Sequence, residues 1–334
     1  MTQAVAGAGL GEFGRIAAYF RPLAVGVPGA FDLTDDAAVL DVPADQQLVA
    51  TCDGMVAGVH FLPGDDPADL AHKILAVNMS DLAAKGAEPL AYSLVMALPR
   101  STSDEWVAAF AAGLGVAQRA FKTNLLGGDS VSTQGPLSLT INALGIVPRG
   151  TMIRRKGARP GDAVFVTGNI GDAALGLKLA LGTLAQPVPD ADRAYLVGRL
   201  RRPSPRLELV ASLRVFATAA LDISDGLVGD LRHLAAASNV GIALDARTVP
   251  LSPAAARLVT RQPELLSAVL TGGDDYEVAF TAPAGKGDDI AAAAASAGVT
   301  VTRIGRVTEG PVGVAVLGMG GVEMPIGQGG WEHR

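Results

Sequence analysis

The sequence has a single cysteine, Cys52, among its 334 residues. One cysteine excludes an internal disulfide and a cysteine-rich zinc site, and it is typical of a protein from a reducing compartment. No stretch approaches the ~20 consecutive apolar residues of a membrane-spanning helix. The first residues lack a basic start followed by an apolar core, so we expect no secretory signal peptide. These absences predict a soluble, cytoplasmic protein.

The chain also lacks an excess of basic residues. Its formal net charge is −6, whereas a general nucleic-acid or anionic-membrane binder normally carries a positive charge. Hydrophobic residues make up 49% and charged residues 18%, which provides a sizeable core and argues against disorder. We therefore expect neither nucleic acid nor a membrane among its partners.

Several familiar catalytic and ligand-binding motifs are missing as well. The chain has four histidines, no H-E-x-x-H motif and no G-x-S-x-G elbow, so the motifs of zinc proteases and of α/β-type serine hydrolases are missing. No linear EF-hand loop is present. The stretch "VTGNIGDAALG" (166–176) resembles a glycine loop that opens a helix, a geometry suited to phosphate. Because it lacks the Gly-Lys-Ser/Thr ending of a P-loop, an ordinary tight turn is the simpler interpretation.

Apolar, β-rich runs alternate with Ala/Leu-rich helical stretches, which predicts an α/β or α+β fold. Proline, glycine and a basic cluster interrupt this pattern within 147–162, so we expect domains at 1–148 and 149–334. The predicted strands are 46–51, 90–98, 137–147, 162–167, 219–224 and 276–282. The predicted helices are 67–84, 103–121, 171–182, 226–237 and 287–297.

Aspartate is strongly preferred over glutamate, with 24 Asp against 9 Glu. Aspartate favours turns, helix caps and oxygen cages for hard cations, and caps and turns account for most of these residues. A smaller set lies where elements are predicted to begin or end, often beside glycine. Asp36 is expected to start a strand, Asp53 to end one and Asp225 to cap a helix. The others are Asp129, Asp222, Asp274 and Asp275.

Asp81 is predicted to lie within a helix rather than at its end. The helix 67–84 should begin at an N-cap formed by Asp65 or Asp66, and Asp81 falls on or beside its apolar stripe. An unpaired buried carboxylate is costly, so Asp81 should face a cation, a donor network or a polar cleft. A purely structural hydrogen bond is an equally good interpretation at this point.

A cluster of carboxylates needs positive charge. Two of them repel each other by about 4 kcal/mol at ~4 Å and an effective dielectric constant of ~20. Divalent cations make such clusters tolerable. Oxygen ligands without a Cys/His set favour Mg²⁺ that holds phosphate groups over zinc.

Eight motifs, in order along the chain, resemble those of the thiamine-monophosphate kinase family in the aminoimidazole-ribonucleotide-synthetase-like ATP-binding superfamily. They are "GEFGRI" (11–16), "DDAAVL" (35–40), "CDGMVAGVHF" (52–61), "AVNMSDLAAKGAEP" (76–89), "LLGGDS" (125–130), "RRKGARPGD" (154–162), "LDISDGL" (221–227) and "GGDDYEV" (272–278). The resemblance implies a two-domain aminoimidazole-ribonucleotide-synthetase-like fold whose N-terminal domains pair in a homodimer. It also implies transfer of the γ-phosphoryl group of ATP to thiamine monophosphate, with several Mg²⁺ ions.

The resemblance also assigns roles to individual residues. The implied metal ligands are Asp36, Thr51, Cys52, Asp53, Asp81, Asp129, Asp222 and Asp225. The implied ATP contacts are Gly128, Asp129, Arg155 and Ser224, and the implied substrate contacts are His60, Asp274 and Trp331. No general base is expected, because the attacking phosphate oxygen is already ionised. The chain departs from the family at two positions: Cys52 stands where a threonine is common, and Asp274 replaces a glutamate.

Two other interpretations stay open. The chain could be another enzyme of the superfamily, although selenophosphate synthetase would need a reactive cysteine or selenocysteine near the N-terminus. Aminoimidazole ribonucleotide synthetase would not be expected to combine "GVHF" with "LDISDGL". A non-enzymatic cation- or nucleotide-binding protein would bind ATP and Mg²⁺ without turning over any phosphorylated acceptor.

Overall fold

The computed structural model describes residues 10–184 and 186–326 of the chain. The chain divides into two compact units. The N-terminal unit comprises Met1–Asn78 and Pro89–Ile146, and the C-terminal unit comprises Met79–Glu88 and Val147–Arg334. None of the helices in the described ranges combines the length and apolar character needed to cross a membrane.

Helices and strands alternate along most of the described chain. The α-helices there are α1 (Glu12–Arg15), α2 (Pro67–Ala84), α3 (Asp104–Phe121), α4 (Asp172–Ala180), α5 (Asp190–Arg201), α6 (Val210–Phe216), α7 (Leu227–Ser238), α8 (Pro253–Arg261), α9 (Leu265–Thr271) and α10 (Gly287–Ser296). The strands are β1 (Gln46–Val56), β2 (Glu88–Pro99), β3 (Leu125–Thr133), β4 (Ser138–Pro148), β5 (Asp162–Thr167), β6 (Ala219–Asp222), β7 (Gly241–Asp245), β8 (Val278–Pro283), β9 (Val301–Thr308) and β10 (Gly313–Leu317).

The N-terminal unit contains a four-stranded sheet with the order β1-β4-β2-β3. Strand β2 alternates buried Leu94, Met96 and Leu98 with more exposed residues, as expected for a sheet with one face on the core. The phenol of Tyr92 on β2 donates a hydrogen bond to Gln118 of α3 at 3.0 Å. Helix α3 therefore covers the buried side of this sheet.

Helix α2 follows the sequence prediction from its cap to its end. The carboxylate of Asp66 accepts a hydrogen bond from the backbone N–H of Ala68, which satisfies one of the free donors of the first turn. The expected apolar stripe is buried, with Leu70, Ile74 and Val77 at 3% exposure or less. The boundary between the two units falls within this helix, after Asn78.

The C-terminal unit contains a six-stranded sheet with the order β10-β7-β9-β5-β8-β6. Neighbouring strands are antiparallel except for β10 and β7. Strand β5 is buried on both sides, since Val164 and Val166 join one apolar cluster whereas Ala163 and Phe165 join another. Helices cover both faces of a largely antiparallel sheet, so the unit is mixed α and β, as expected.

Three strand predictions around aspartates are wrong in detail. Residues 34–43 form no strand, and the backbone N–H of Val39 instead donates to the carbonyl of Gly29. Asp53 does not end β1, because the ladder continues until Ala57 donates to Leu137. Asp129 lies inside β3, which pairs in parallel with β2 as far as Thr133. For β1 and β3 the partner strand, which local sequence does not reveal, decides where pairing stops.

Candidate functional site

Asp222 is the centre of an acidic cluster in the C-terminal unit. It ends the buried strand β6 and is 5% exposed. Burial, followed by the nearby carboxylates of Asp81 and Asp230, raises the pKa of Asp222 well above its ordinary value. The hydroxyl of Ser80 donates to this carboxylate and opposes the rise in pKa, as does Lys85. Asp81, which was expected to face a cation, a donor network or a polar cleft, lies near Asp222 and the ammonium group of Lys85.

Lys85 belongs to the same cluster and was missed by sequence reasoning. Its ammonium group donates to the carbonyl of Ala220 on β6 at 2.9 Å. Burial and the positive charge of Arg155 lower the pKa of Lys85, whereas Asp222 and Asp81 raise it. Its spacing of four residues from Asp81 is the signal that could have revealed it. The cluster therefore contains positive as well as negative groups.

Asp225 does not cap α7, contrary to the sequence prediction. The N-cap residue is Gly226, with a φ of +112°, and no side chain caps the helix there. Instead, buried Asp230 accepts hydrogen bonds from the backbone N–H groups of Ser224 and Asp225 at 3.1 and 3.0 Å. Burial raises the pKa of Asp230 to about 7. The carboxylate of Asp225 is thus not used as a helix cap.

Arg155 lies next to this cluster although its own segment has no regular structure. The carbonyl of the preceding residue, Arg154, accepts a hydrogen bond from the N–H of Ala220 on β6. The positive charge of Arg155 lowers the pKa of Asp230. The exposed basic stretch is therefore anchored beside β6 rather than being a free linker.

The segment 272–277 lies against the same loop. The N–H of Asp274 donates to the carbonyl of Ser224, and the N–H of Tyr276 donates to Ile223, both at 2.8 Å. Gly273 is required at this crossing, since a Cβ there would lie 2.2 Å from the Ser224 oxygen. The C-terminal unit thus brings together these predicted site residues: Asp81, Arg155, Asp222, Ser224, Asp225 and Asp274.

In the N-terminal unit, strand β1 separates Cys52 from its neighbours by face. Thr51 and Asp53 are partly buried on one side, whereas Cys52 is exposed on the other. The N–H of Asp53 donates to the side-chain oxygen of buried Asn78 on α2, which fixes the position of Asp53. A ligand role for Cys52 on the Asp53 side is therefore possible only through its backbone carbonyl oxygen.

We predict that Cys52→Ala leaves both kcat and the Mg²⁺ concentration for half-maximal activity within about twofold of wild type. The exposed thiol points away from Asp53, and its truncation leaves no buried cavity. A magnesium titration at saturating substrates measures the effect, with Cys52→Thr as the family-like control. If Cys52→Ala raises the Mg²⁺ concentration for half-maximal activity tenfold or more and Cys52→Thr does not, the side chain at position 52 contributes to magnesium binding.

Gly128 and Asp129 lie in β3, the strand at the opposite edge of the sheet from β1. A Cβ at residue 128 would lie 1.8 Å from the carbonyl oxygen of Leu94 on β2, so the close approach of the two strands requires glycine. Asp129 is exposed, and its carboxylate accepts a hydrogen bond from the N–H of Ser130.

His60 follows β1 in a tight turn. Its Nδ1 accepts a hydrogen bond from the N–H of Val56, and its carbonyl accepts one from the ammonium of Lys73. Acceptance at Nδ1 places the proton of the neutral ring on Nε2, which is then a donor. Such a donor suits contact with an anionic or carbonyl oxygen.

For the two remaining predicted site residues, Asp36 and Trp331, the structure gives little or no information about side-chain contacts. Asp36 is exposed, and its N–H donates to the neighbouring carboxylate of Asp35. Trp331 lies outside the described residues. Within 10–184 and 186–326, no group of three or more His, Cys, Asp or Glu side chains is arranged to hold a metal ion. The N-terminal unit contains Asp36, Asp53 and Asp129 of the implied ligand set, and the C-terminal unit contains Asp81, Asp222 and Asp225.

The glycine loop at 166–176 already has an anionic partner. The carboxylate of Asp275 accepts hydrogen bonds from the N–H groups of Gly171 and Ala173 at 2.7 and 3.3 Å. These are donors that a phosphate at the start of α4 would need. The simpler interpretation of this loop, a structural turn, agrees with the geometry.

The chain is similar to known proteins over most of its length. Models of the N-terminal and C-terminal domains of AIR synthase related proteins match residues 34–147 and 159–318. The thiamine-monophosphate kinase of Caulobacter vibrioides is 44% identical over 302 residues, which are 90% of this chain and 84% of that protein. The crystal structure of thiamine-monophosphate kinase from Stenotrophomonas maltophilia is 44% identical, with a TM-score of 0.79 over 85% of this chain and 89% of that one. The structure of AaThiL complexed with AMPPCP and TMP is 32% identical, with a TM-score of 0.77 over 97% of each chain.

Proposed function

Because this chain belongs to the thiamine-monophosphate kinases among the AIR synthase related proteins, we propose that it phosphorylates thiamine monophosphate with ATP to give thiamine diphosphate and ADP. One observation carries the proposal: the likeness to a structure with AMPPCP and TMP bound extends over 97% of both chains. The clustered oxygen ligands and the cations Lys85 and Arg155 suit a reaction between two anions.

The donor set fits magnesium in its chemistry. All the carboxylates that the sequence singled out offer hard oxygen ligands. Burial, followed by the nearby carboxylate of Asp81, raises the pKa of Asp222, and a bound cation would favour its ionised form. The residues that would hold Mg²⁺ are Asp36, Asp53, Asp81, Asp129, Asp222 and Asp225, with backbone oxygens of Thr51 and Cys52. Bound Mg²⁺ supplies charge neutralisation for the two phosphate groups.

The protein's own groups then bind and orient the reactants for direct in-line transfer. Gly128, Arg155 and Ser224 would contact ATP together with Asp129. The attacking phosphate oxygen of the acceptor is ionised at neutral pH, so no general base is needed, consistent with the small number of histidines. Catalysis of this kind rests on positioning and on charge stabilisation.

His60, Asp274 and Trp331 would bind the acceptor. The Nε2 donor of His60 suits its phosphate, and the carboxylate of Asp274 suits its cationic ring. Asp274 is one methylene shorter than the family's glutamate, so a longer or water-bridged contact is expected. We further propose domains at 1–148 and 149–334, pairing of the N-terminal domains in a homodimer, and a cytoplasmic location.

The activity assay should distinguish this proposal from its alternatives. With ATP, Mg²⁺ and thiamine monophosphate, we expect thiamine diphosphate and ADP in equal amounts by liquid chromatography. Formylglycinamidine ribonucleotide in place of thiamine monophosphate serves as the control acceptor. Turnover of the control alone would indicate another enzyme of the superfamily. Calorimetric binding of ATP with Mg²⁺, but no turnover of either acceptor, would indicate a non-enzymatic binding protein.

A further inference from the structure

The segment 272–277 alternates between buried anchors and more exposed side chains. Asp275 and Glu277 are 2% and 0% exposed, whereas Asp274 and Tyr276 are only partly buried. No helix or strand includes these six residues. The segment therefore owes its shape to its side-chain anchors rather than to regular backbone pairing.

The two anchors fix the segment at separate points of the C-terminal unit. Asp275 accepts hydrogen bonds from the backbone N–H groups of Gly171 and Ala173. Glu277 accepts a hydrogen bond from the hydroxyl of Thr167 at 2.6 Å and pairs with two arginines, Arg199 and Arg206. Such charge-assisted contacts hold the intervening Tyr276 in place.

The backbone of the two partly buried residues is unusual. Asp274 has a φ of +71° and Tyr276 a φ of +50°, both in the left-handed region. This region is unfavourable for a bulky side chain and is tolerated where surrounding contacts impose it, often at functional sites. The hydrogen bond from the N–H of Tyr276 to the carbonyl of Ile223 provides one such contact, and the hydroxyl oxygen of Ser80 lies 3.4 Å from the carbonyl oxygen of Tyr276.

The result is a pair of side chains held next to each other. The phenol of Tyr276 donates to the carboxylate of Asp274 at 3.3 Å, and neither residue is fully buried. A carboxylate beside an aromatic ring favours a cation and repels a phosphate. This pair therefore suits the ring end of an acceptor such as thiamine monophosphate rather than its phosphate end.

We propose that Tyr276 is a specificity-determining residue that binds, together with Asp274, the positively charged aromatic ring of the acceptor. This inference rests on the proposed kinase function and extends it to a residue outside the implied substrate contacts. The aromatic ring of Tyr276 contacts the thiazolium, and its phenol keeps the Asp274 carboxylate directed at the same ring.

The test uses two substitutions of Tyr276 in the full-length enzyme. Tyr276→Phe keeps the ring but removes the hydrogen bond to Asp274, and we expect the Kd and KM for thiamine monophosphate to rise about threefold. Tyr276→Asn removes the ring but tolerates the left-handed backbone, and we expect a rise of about tenfold. The KM for ATP should stay within about twofold of wild type in both variants, since the ring lies at the acceptor.

Tyr92→Phe is the control, because Tyr92 also donates its phenol hydrogen to a side-chain oxygen, that of Gln118, within the N-terminal unit. It should leave the KM for thiamine monophosphate unchanged. As a test of charge recognition, an acceptor analogue with a neutral aromatic ring replaces the thiazolium. Wild type should prefer the cation, and Tyr276→Asn should reduce this preference about tenfold.

The variant Asp274→Asn separates the role proposed for Tyr276 from the contact of Asp274 with the acceptor ring. If Asp274→Asn weakens acceptor binding but both Tyr276 variants bind like wild type, the role of Tyr276 is wrong and the Asp274 contact stands. If neither residue affects acceptor binding, the ring site itself is wrong. If the KM for ATP rises instead, the segment belongs to the nucleotide site and the inference is overturned. Absence of any kinase activity in wild type would instead refute the proposed function.

Discussion

Replacing Asp222 by asparagine is expected to lower kcat by about a hundredfold or more while making the protein more stable at pH 8. The carboxylate is buried beside Asp81 and Asp230, so its ionised form is disfavoured in the folded protein. Asparagine has the same shape but no charge, and it cannot neutralise a divalent cation. Kinase assays at saturating Mg²⁺ and urea denaturation measure the two effects separately.

The pH dependence of stability follows from the same burial. The pKa of Asp230 is raised from its ordinary value of 3.8 to about 7, so between these values the folded protein binds more protons than the unfolded chain. The free energy of unfolding should therefore fall as the pH rises through this range. Asp222 shifts in the same direction, and the fall in stability should be smaller in Asp222→Asn.

Asp245→Asn provides the control for this prediction. Asp245 ends β7 in the same unit and pairs with the exposed side chain of Arg247. The hydrogen bond from Arg247 lowers the pKa of Asp245, so removing the Asp245 charge should destabilise the fold only slightly and leave kcat unchanged. If Asp222→Asn retains near-wild-type kcat, Asp222 does not hold a metal ion needed for turnover.

Sequence patterns predict the parts of this fold that local physics determines. Helix α2 was predicted at its observed bounds because an aspartate cap and an apolar stripe at helical spacing both lie within it. Strand β5 was predicted equally well from one continuous apolar run. In contrast, the short strands β7 and β10 were missed, because five residues each give little periodicity and their pairing is long-range.

The site shows the same division between local and long-range information. Asp222 was marked by its place in an apolar strand and Asp274 by the two glycines before it, and in the C-terminal unit the segment 272–277 lies against the loop that follows Asp222. Local rules assigned a helix cap to Asp225, whereas the loop N–H groups are bound by Asp230 in the folded protein. The anchoring role of Glu277 depends on partners 71 and 78 residues away, so no local pattern could reveal it.

Replacing Glu277 by glutamine is expected to lower the free energy of unfolding by about 3–5 kcal/mol. Glu277 is completely buried and pairs with Arg199 and Arg206, which are themselves only 17% and 18% exposed. Glutamine removes the carboxylate charge that pairs with both guanidinium groups in a largely desolvated place. Urea denaturation measures the loss, and Asp289→Asn in the exposed Lys286–Asp289 pair is the control, with an expected change below about 0.5 kcal/mol.

A double substitution tests whether uncompensated charge is the cause of this loss. Combining Glu277→Gln with Arg206→Met removes one of the two unpaired cations, so the double variant should be more stable than Glu277→Gln alone. Additive losses would show instead that packing and hydrogen bonds around Glu277, rather than charge, dominate its contribution. Because Glu277 also anchors Tyr276, the Kd for thiamine monophosphate should rise in Glu277→Gln. It should return towards the wild-type value in the double variant only if the backbone of residues 272–277 regains its native position.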